Sequence, residues 1–152
     1  MDEAASFRLA TAVDAPAIAE LTRQAYAKWV PLIGREPLPM TVDYAEAVKR
    51  HRFELAEVGA RLAALIETVP QHGWLLIQNV AVSPAFQRRG LGVALLKRAE
   101  ALAAAEGLAG TRLYTNQRFS ENVRLYLSLG YVVEREEALN GGVAVHMAKP
   151  RV

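Results

Sequence analysis

Gln87-Arg88-Arg89-Gly90-Leu91-Gly92 is the stretch whose residue types and spacing could do chemistry. The run before it, Trp74 to Val82, is apolar and partly β-branched, and it stops at Ser83-Pro84 because proline cannot continue a ladder. After it, from Val93 onward, apolar residues recur at helical spacing. Strand, glycine-bearing basic loop and helix together point free backbone N–H groups and a helix N-terminus at an anion. Arg88 and Arg89 lie in the loop, and Lys97 and Arg98 follow two turns into the helix. A basic site this local suits a small polyanion, so the stretch reads as a phosphate-binding turn.

Composition narrows the class. A chain of 152 residues, 52% apolar and 22% charged, is most simply a single globular domain with a core of ordinary size. No apolar run approaches the roughly 20 residues that span a bilayer, and Met1-Asp2-Glu3 lacks the basic start of a signal peptide. A cytoplasmic location fits, and no membrane partner is expected. With no cysteine there is neither a disulfide, a thiolate nucleophile nor a cysteine metal site. A formal net charge of +2 is too small to argue for a nucleic-acid partner.

The elements that must position the loop follow from the pattern. Phe7 to Thr11 reads as a strand. Asp14 offers an N-cap, and Ile18, Leu21, Ala25 and Trp29 place an amphipathic helix up to about Val30. Pro31 to Pro39 is a loop, and Asp43-Tyr44-Ala45-Glu46 resembles a capping box opening a short helix to about Arg50. Phe53 to Glu57, Arg61 to Val69 and Trp74 to Val82 form an antiparallel meander. The last of these is apolar almost throughout, as a strand buried on both faces would be. Gly90 to Glu106 is the strongest helix and Thr111 to Thr115 a further strand, parallel to Trp74 to Val82 if the helix is a crossover. Ser120 caps a helix that ends at Gly130. Tyr131 to Glu137 and Val143 to Ala148 form a last hairpin around Asn140-Gly141-Gly142. The predicted class is α/β (α+β): one domain with a mixed, mostly antiparallel sheet of about seven strands, flanking helices and a central parallel pair.

The glycine loop alone is a weak motif; its context is more specific. It follows Asn79-Val80-Ala81-Val82-Ser83-Pro84, and about thirty residues later comes Glu121-Asn122-Val123-Arg124-Leu125-Tyr126-Leu127-Ser128-Leu129-Gly130-Tyr131. This set, in this order, resembles the GNAT superfamily of acyl-CoA-dependent N-acetyltransferases, over roughly Trp74 to Lys149. The resemblance implies acetyl-CoA as co-substrate, with its pyrophosphate on the loop that includes Gln87, Arg88, Arg89, Gly90, Leu91, Gly92 and Val93. It implies that the pantetheine arm lies beside Val80, Ala81 and Val82, in a gap where the two parallel strands splay. It implies a cofactor contact for Asn122 and general-acid duty for Tyr126. A neutral amine of a small molecule or peptide would attack the thioester directly, with no metal.

One departure stands out. Some members of that family carry a glutamate base on the strand before the loop, whereas Trp74 to Val82 holds no carboxylate. Glu67, His72 or an ordered water stay open as the base, although Glu67 reads more simply as a surface strand residue and His72 as a turn residue. Tyr126 could otherwise be a packed core aromatic and Asn122 a local cap. Tyr26, Trp29 and Tyr44 could line an acceptor pocket, fill the core, or meet a second copy in a homodimer. A dinucleotide fold is disfavoured because position 95 is leucine where glycine or alanine is wanted, and a P-loop because Gly-Lys-Ser/Thr is absent. An acyl-CoA sensor that binds without transferring is the remaining alternative.

Overall fold

Residues 4–139 and 141–151 are described by the computed structural model. Seven strands form one sheet: β1 (Ser6–Leu9), β2 (Arg52–Val58), β3 (Arg61–Gln71), β4 (Trp74–Val82), β5 (Gly110–Asn116), β6 (Val132–Leu139) and β7 (Gly142–Pro150). Their spatial order is β1-β2-β3-β4-β5-β7-β6, and every pairing is antiparallel except β4 with β5. The helices are α1 (Ala15–Tyr26), α2 (Val30–Ile33), α3 (Tyr44–Arg50), α4 (Leu91–Ala105) and α5 (Ser120–Ser128). The mixed sheet with one parallel crossover is thus the expected one. Asn140 of the last turn and Met1-Asp2-Glu3 lie outside the described residues. Among those described, no helix is long and apolar enough to cross a membrane.

The sheet is covered on both faces because each side chain set alternates along its strand. α4 lays Leu91, Leu95, Leu96, Ala99 and Ala103 on one face, where they meet Ile66, Leu75, Ile77 and Met147. α1 and α3 cover the other face with Ile18, Leu21, Tyr44 and Ala47 against Phe53, Leu55, Leu65 and Ala81. β4 departs from the expectation of burial on both faces: one set of its alternate residues is buried and the other only half-buried. It also carries one extra residue, Gln78, opposite the Glu67–Thr68 step of β3. A bulge of this kind moves the following residues to the opposite faces. Ile77 and Val80 therefore both join the α4 side, while Asn79 and Ala81 turn toward α1 and α3.

Some local expectations are corrected. α1 stops at Tyr26, and a 3-10 turn (Ala27–Trp29) and the four-residue α2 carry the chain on to Gly34. Asp14 occupies the N-cap position of α1 without capping it. Its carboxylate instead accepts from both terminal nitrogens of Arg8 (2.9 and 2.8 Å) and from the Thr11 N–H (2.8 Å). Ser120 is the first residue of α5 rather than its cap. Asp43 does cap α3, accepting from the Ala45 and Glu46 N–H groups.

The Arg8–Asp14 pair makes an acid-stability prediction. Hydrogen bonds from Arg8 pull the Asp14 pKa down to about 2. A depressed carboxylate contributes stability in full above its ordinary range, about pH 4, and loses it as pH falls toward 2. Arg8→Met is expected to lower Tm above about pH 5 and to match wild type near about pH 2. A constant Tm difference across that range would refute the coupling.

Candidate functional site

The loop expected to bind an anion leaves backbone amides free at a helix start. Ser83 leads into a 3-10 turn (Pro84–Phe86), after which Arg88 (φ 67°) and Gly90 (φ 76°) both adopt left-handed backbone. Gly90 is the N-cap of α4 and offers no side chain to its first turn. The first helical hydrogen bond there runs from Ala94 N–H to the Gly90 carbonyl, 2.9 Å, so Leu91, Gly92 and Val93 carry N–H groups without an intrahelical acceptor. Such a row of amides at a helix start is an anion site. A Cβ on Gly90 would meet nothing within 4 Å, so glycine serves the backbone angle there. On Gly92 it would sit 3.4 Å from the Val82 side chain, so that glycine lets the helix approach β4 closely.

Beside this loop lies a cleft of about 310 Å³. Val80, Ala81, Val82, Gln87, Arg88, Gly90, Leu91, Gly92, Val93, Asn122 and Tyr126 all line it, so nearly every residue singled out in the sequence converges on one place. Arg89 does not line it; its guanidinium lies 5.1 Å from the Phe86 ring centroid. Arg98 belongs to another surface, since it holds both oxygens of Glu54 (2.8 and 2.9 Å) and covers the Phe7 ring.

The parallel pair then opens. β4 and β5 are in register only at Leu75–Thr111, Leu76–Arg112 and Ile77–Leu113; beyond that, neither Asn79 to Val82 nor Tyr114 to Asn116 has a partner across the gap. Ser83 N–H donates to the Ala63 carbonyl at 2.8 Å, on the β3 side. The alternation of the ladder therefore turns the Val80 and Val82 amides the other way, into the gap.

Behind the gap is a second cavity of about 350 Å³, roofed by α1, α3 and the loop between α2 and α3. Tyr26, Val80, Asn122 and Tyr126 line both cavities, which therefore meet at the splay. Tyr26 donates to Asn79 Oδ1 (2.9 Å), Asn79 donates to the Tyr44 hydroxyl (3.3 Å), and Tyr44 donates to the Pro39 carbonyl (2.7 Å). This chain ties α1 and α3 to the β4 bulge. Trp29 stacks on Phe119 at 4.4 Å, joining the segment after α1 to the start of α5. Tyr126 is buried, with its ring 5.8 Å from that of Tyr131, and burial pushes its pKa up to about 12.

Glu67 sits otherwise than the sequence suggested, and His72 does not. Glu67 is no surface residue: it is 3% exposed, lines the second cavity, and lies 2.6 Å from His51 Nδ1. His72 has φ 54° in the β3–β4 turn and lines neither cavity, as the turn reading of it held. His51 was not visible as a site residue. The available signal was Glu67 itself, a carboxylate inside the apolar run Leu65-Ile66-Glu67-Thr68-Val69. A charge in such a run needs a partner.

A family model described as an acetyltransferase (GNAT) domain matches residues 49–133, more than half of the chain. The chain belongs to the GNAT acetyltransferase family. Solved structures agree with the fold of a GNAT acetyltransferase. The PaiA N-acetyltransferase of Thermoplasma acidophilum, solved in complex with coenzyme A, is 18% identical with a TM-score of 0.80, over 96% of this chain and 99% of its own. The ribosomal-protein-S18-alanine N-acetyltransferase of Escherichia coli is 23% identical with a TM-score of 0.80, over 97% and 94%. Ard1 of Thermoplasma volcanium is 18% identical with a TM-score of 0.76, over 98% and 99%. No curated protein sequence matches this GNAT acetyltransferase.

Proposed function

We propose that this GNAT acetyltransferase, acting as a single domain, transfers the acetyl group of acetyl-CoA to a primary amine of a small molecule or peptide. The observation that carries the reading is the splay: β4–β5 pairing ends at Ile77 and Leu113, where two cavities meet. The donor fits the first cavity by its chemistry. Free amides of Leu91, Gly92 and Val93, with Arg88 beside them, suit a pyrophosphate. The main chain of Val80 and Val82, without a strand partner across the gap, suits an amide-bearing arm laid against it as a partial strand. Acetyl-CoA supplies the activated acetyl carbonyl.

The protein's own groups then have defined roles. The Val80 and Val82 amides face the gap and can accept the negative charge that develops on the acetyl oxygen. Tyr126 keeps its proton at neutral pH because burial raises its pKa to about 12. It holds that proton on Oη for the departing sulfur. A thiol ordinarily ionises near 8.5, but a sulfur leaving into the same dry cleft is raised by the same desolvation. Burial thus raises donor and acceptor of the proton in the same direction. Asn122, lining both cavities, is placed to contact the donor near the thioester.

The test is release of free thiol from acetyl-CoA in the presence of a panel of amines and short peptides, with calorimetry of acetyl-CoA alone in parallel. Binding with amine-dependent thiol release is expected. Binding with no release from any acceptor would favour a sensor instead.

A further inference from the structure

We infer that Glu67, held by His51, receives the acceptor's ammonium group and takes its first proton, and that the acceptor is a primary amine on an apolar stem. The inference rests on the acetyl-transfer reading above and names the acceptor side of the same site.

Geometry carries it. Glu67 lies in the middle of β3 and is 3% exposed, yet its only side-chain hydrogen bond among the described residues is the one that a carboxylate oxygen accepts from His51 Nδ1, 2.6 Å. Among the described residues the other oxygen has no hydrogen-bond partner, and the residue lines the 350 Å³ cavity. Glu67 pairs with Asn79 across the β3–β4 ladder, beside Val80 and the splay, one strand spacing of roughly 4.8 Å away. A buried carboxylate with an unpartnered oxygen at the wall of a cavity asks for a cation there. Tyr26 from α1, Tyr44 from α3, His51 before β2, Tyr114 from β5 and Tyr126 from α5 are titratable groups lining the cavity around it. Arg35, Asp43, Glu46 and Arg50 line it as well. Asp43 is engaged in capping α3 and Glu46 lies 3.5 Å from Lys49, so neither competes for the amine as a free carboxylate. The rest of the wall is largely apolar, with Ile33, Leu38, Val42, Leu139 and Val143, which suits a hydrocarbon stem.

The step balances. One ammonium proton passes to the Glu67 carboxylate and on to solvent. The freed lone pair forms the C–N bond and the carbonyl π pair moves onto oxygen, giving a tetrahedral oxyanion whose collapse breaks the C–S bond, with that bond's electron pair staying on sulfur. A second nitrogen proton is lost, and the sulfur takes one through Tyr126. Ammonium and thioester thus give amide, thiol and one released proton.

Glu67 must be ionised to act, so activity should rise with pH as it titrates. Desolvation raises its pKa above the usual carboxylate range, and the hydrogen bond from His51 opposes the rise. The experiment is kcat/KM against pH for wild type, Glu67→Gln and His51→Gln, with phenethylamine, n-hexylamine, phenylalanine amide and an alanyl-phenylalanine dipeptide as probes. Calorimetry with acetyl-CoA checks that each variant is folded and loads its donor. Glu67→Gln is expected to lower kcat/KM by about 10²–10³-fold and abolish the acid limb, with acetyl-CoA affinity kept within about twofold. His51→Gln should move the acid limb to higher pH, an effect that a purely structural clamp would not produce. An unchanged acid limb in Glu67→Gln would overturn the assignment. So would a wild type that binds acetyl-CoA yet turns over none of the four amines. A wild type that fails to bind acetyl-CoA would instead sink the transferase reading, and the inference with it.

Discussion

Gly90→Val is expected to abolish measurable acetyl-CoA binding while leaving the protein folded. Position 90 has φ 76° and ψ 14°, and an L-residue there costs about 1–2 kcal/mol, with a β-branched side chain at the upper end. Nothing lies within 4 Å of a Cβ at this position, so the penalty is conformational and not a clash. The loop can relieve it by rotating, and rotation turns the Leu91, Gly92 and Val93 amides away from a common point. Hydrogen bonds to a charged group contribute about 1.5–3 kcal/mol each, so losing two of them costs more than 10²-fold in affinity. The fold loses only the strain energy, about 3–6 °C in Tm for a chain of this size. Gly90→Asn is the matched control, because asparagine tolerates left-handed backbone, and it should keep most of the affinity. Calorimetry showing full binding by the valine variant would remove the phosphate-loop assignment.

Tyr126→Phe is expected to lower kcat by about 10²–10³-fold with acetyl-CoA affinity unchanged. Among the described residues the Tyr126 hydroxyl has no hydrogen-bond partner, and the ring's packing against Tyr131 survives the substitution. Stability should therefore barely change, which separates a lost proton donor from a damaged core. Because burial holds the phenol up at about 12, wild type should show no basic limb from Tyr126 below about pH 11. Equal kcat in variant and wild type would return Tyr126 to the role of a packed aromatic.

Much of the fold was legible because its signals are local. Trp74 to Val82 has the bounds read from Ser83-Pro84 and the turn before it, and α4 begins at the glycine pair as the apolar spacing indicated. Errors fell where tertiary contacts outweighed local preference. Asp14 has the type and place of an N-cap, but Arg8 arrives from β1 and takes its carboxylate. Arg98, two turns into the helix, reads as part of the local basic site, but its guanidinium is held by Glu54. The burial of β4 was misjudged because an apolar run shows which residues avoid water and not that a cavity will lie beside them.

From the sequence alone came the strand, glycine turn and helix, and the choice of Asn122 and Tyr126, which line the same cleft. These rest on backbone rules acting over a few residues, where proline, glycine and apolar period dictate conformation. The splay was expected from the family resemblance, but the residues that line the second cavity behind it were decided only by the tertiary structure. Tyr26, His51, Glu67, Asn79 and Tyr126 come from five separate elements and meet because the β3–β4 register contains the Gln78 bulge and the β4–β5 ladder ends at Ile77. Register is set by packing the whole sheet between two layers of helices, so no local pattern could place His51 against Glu67.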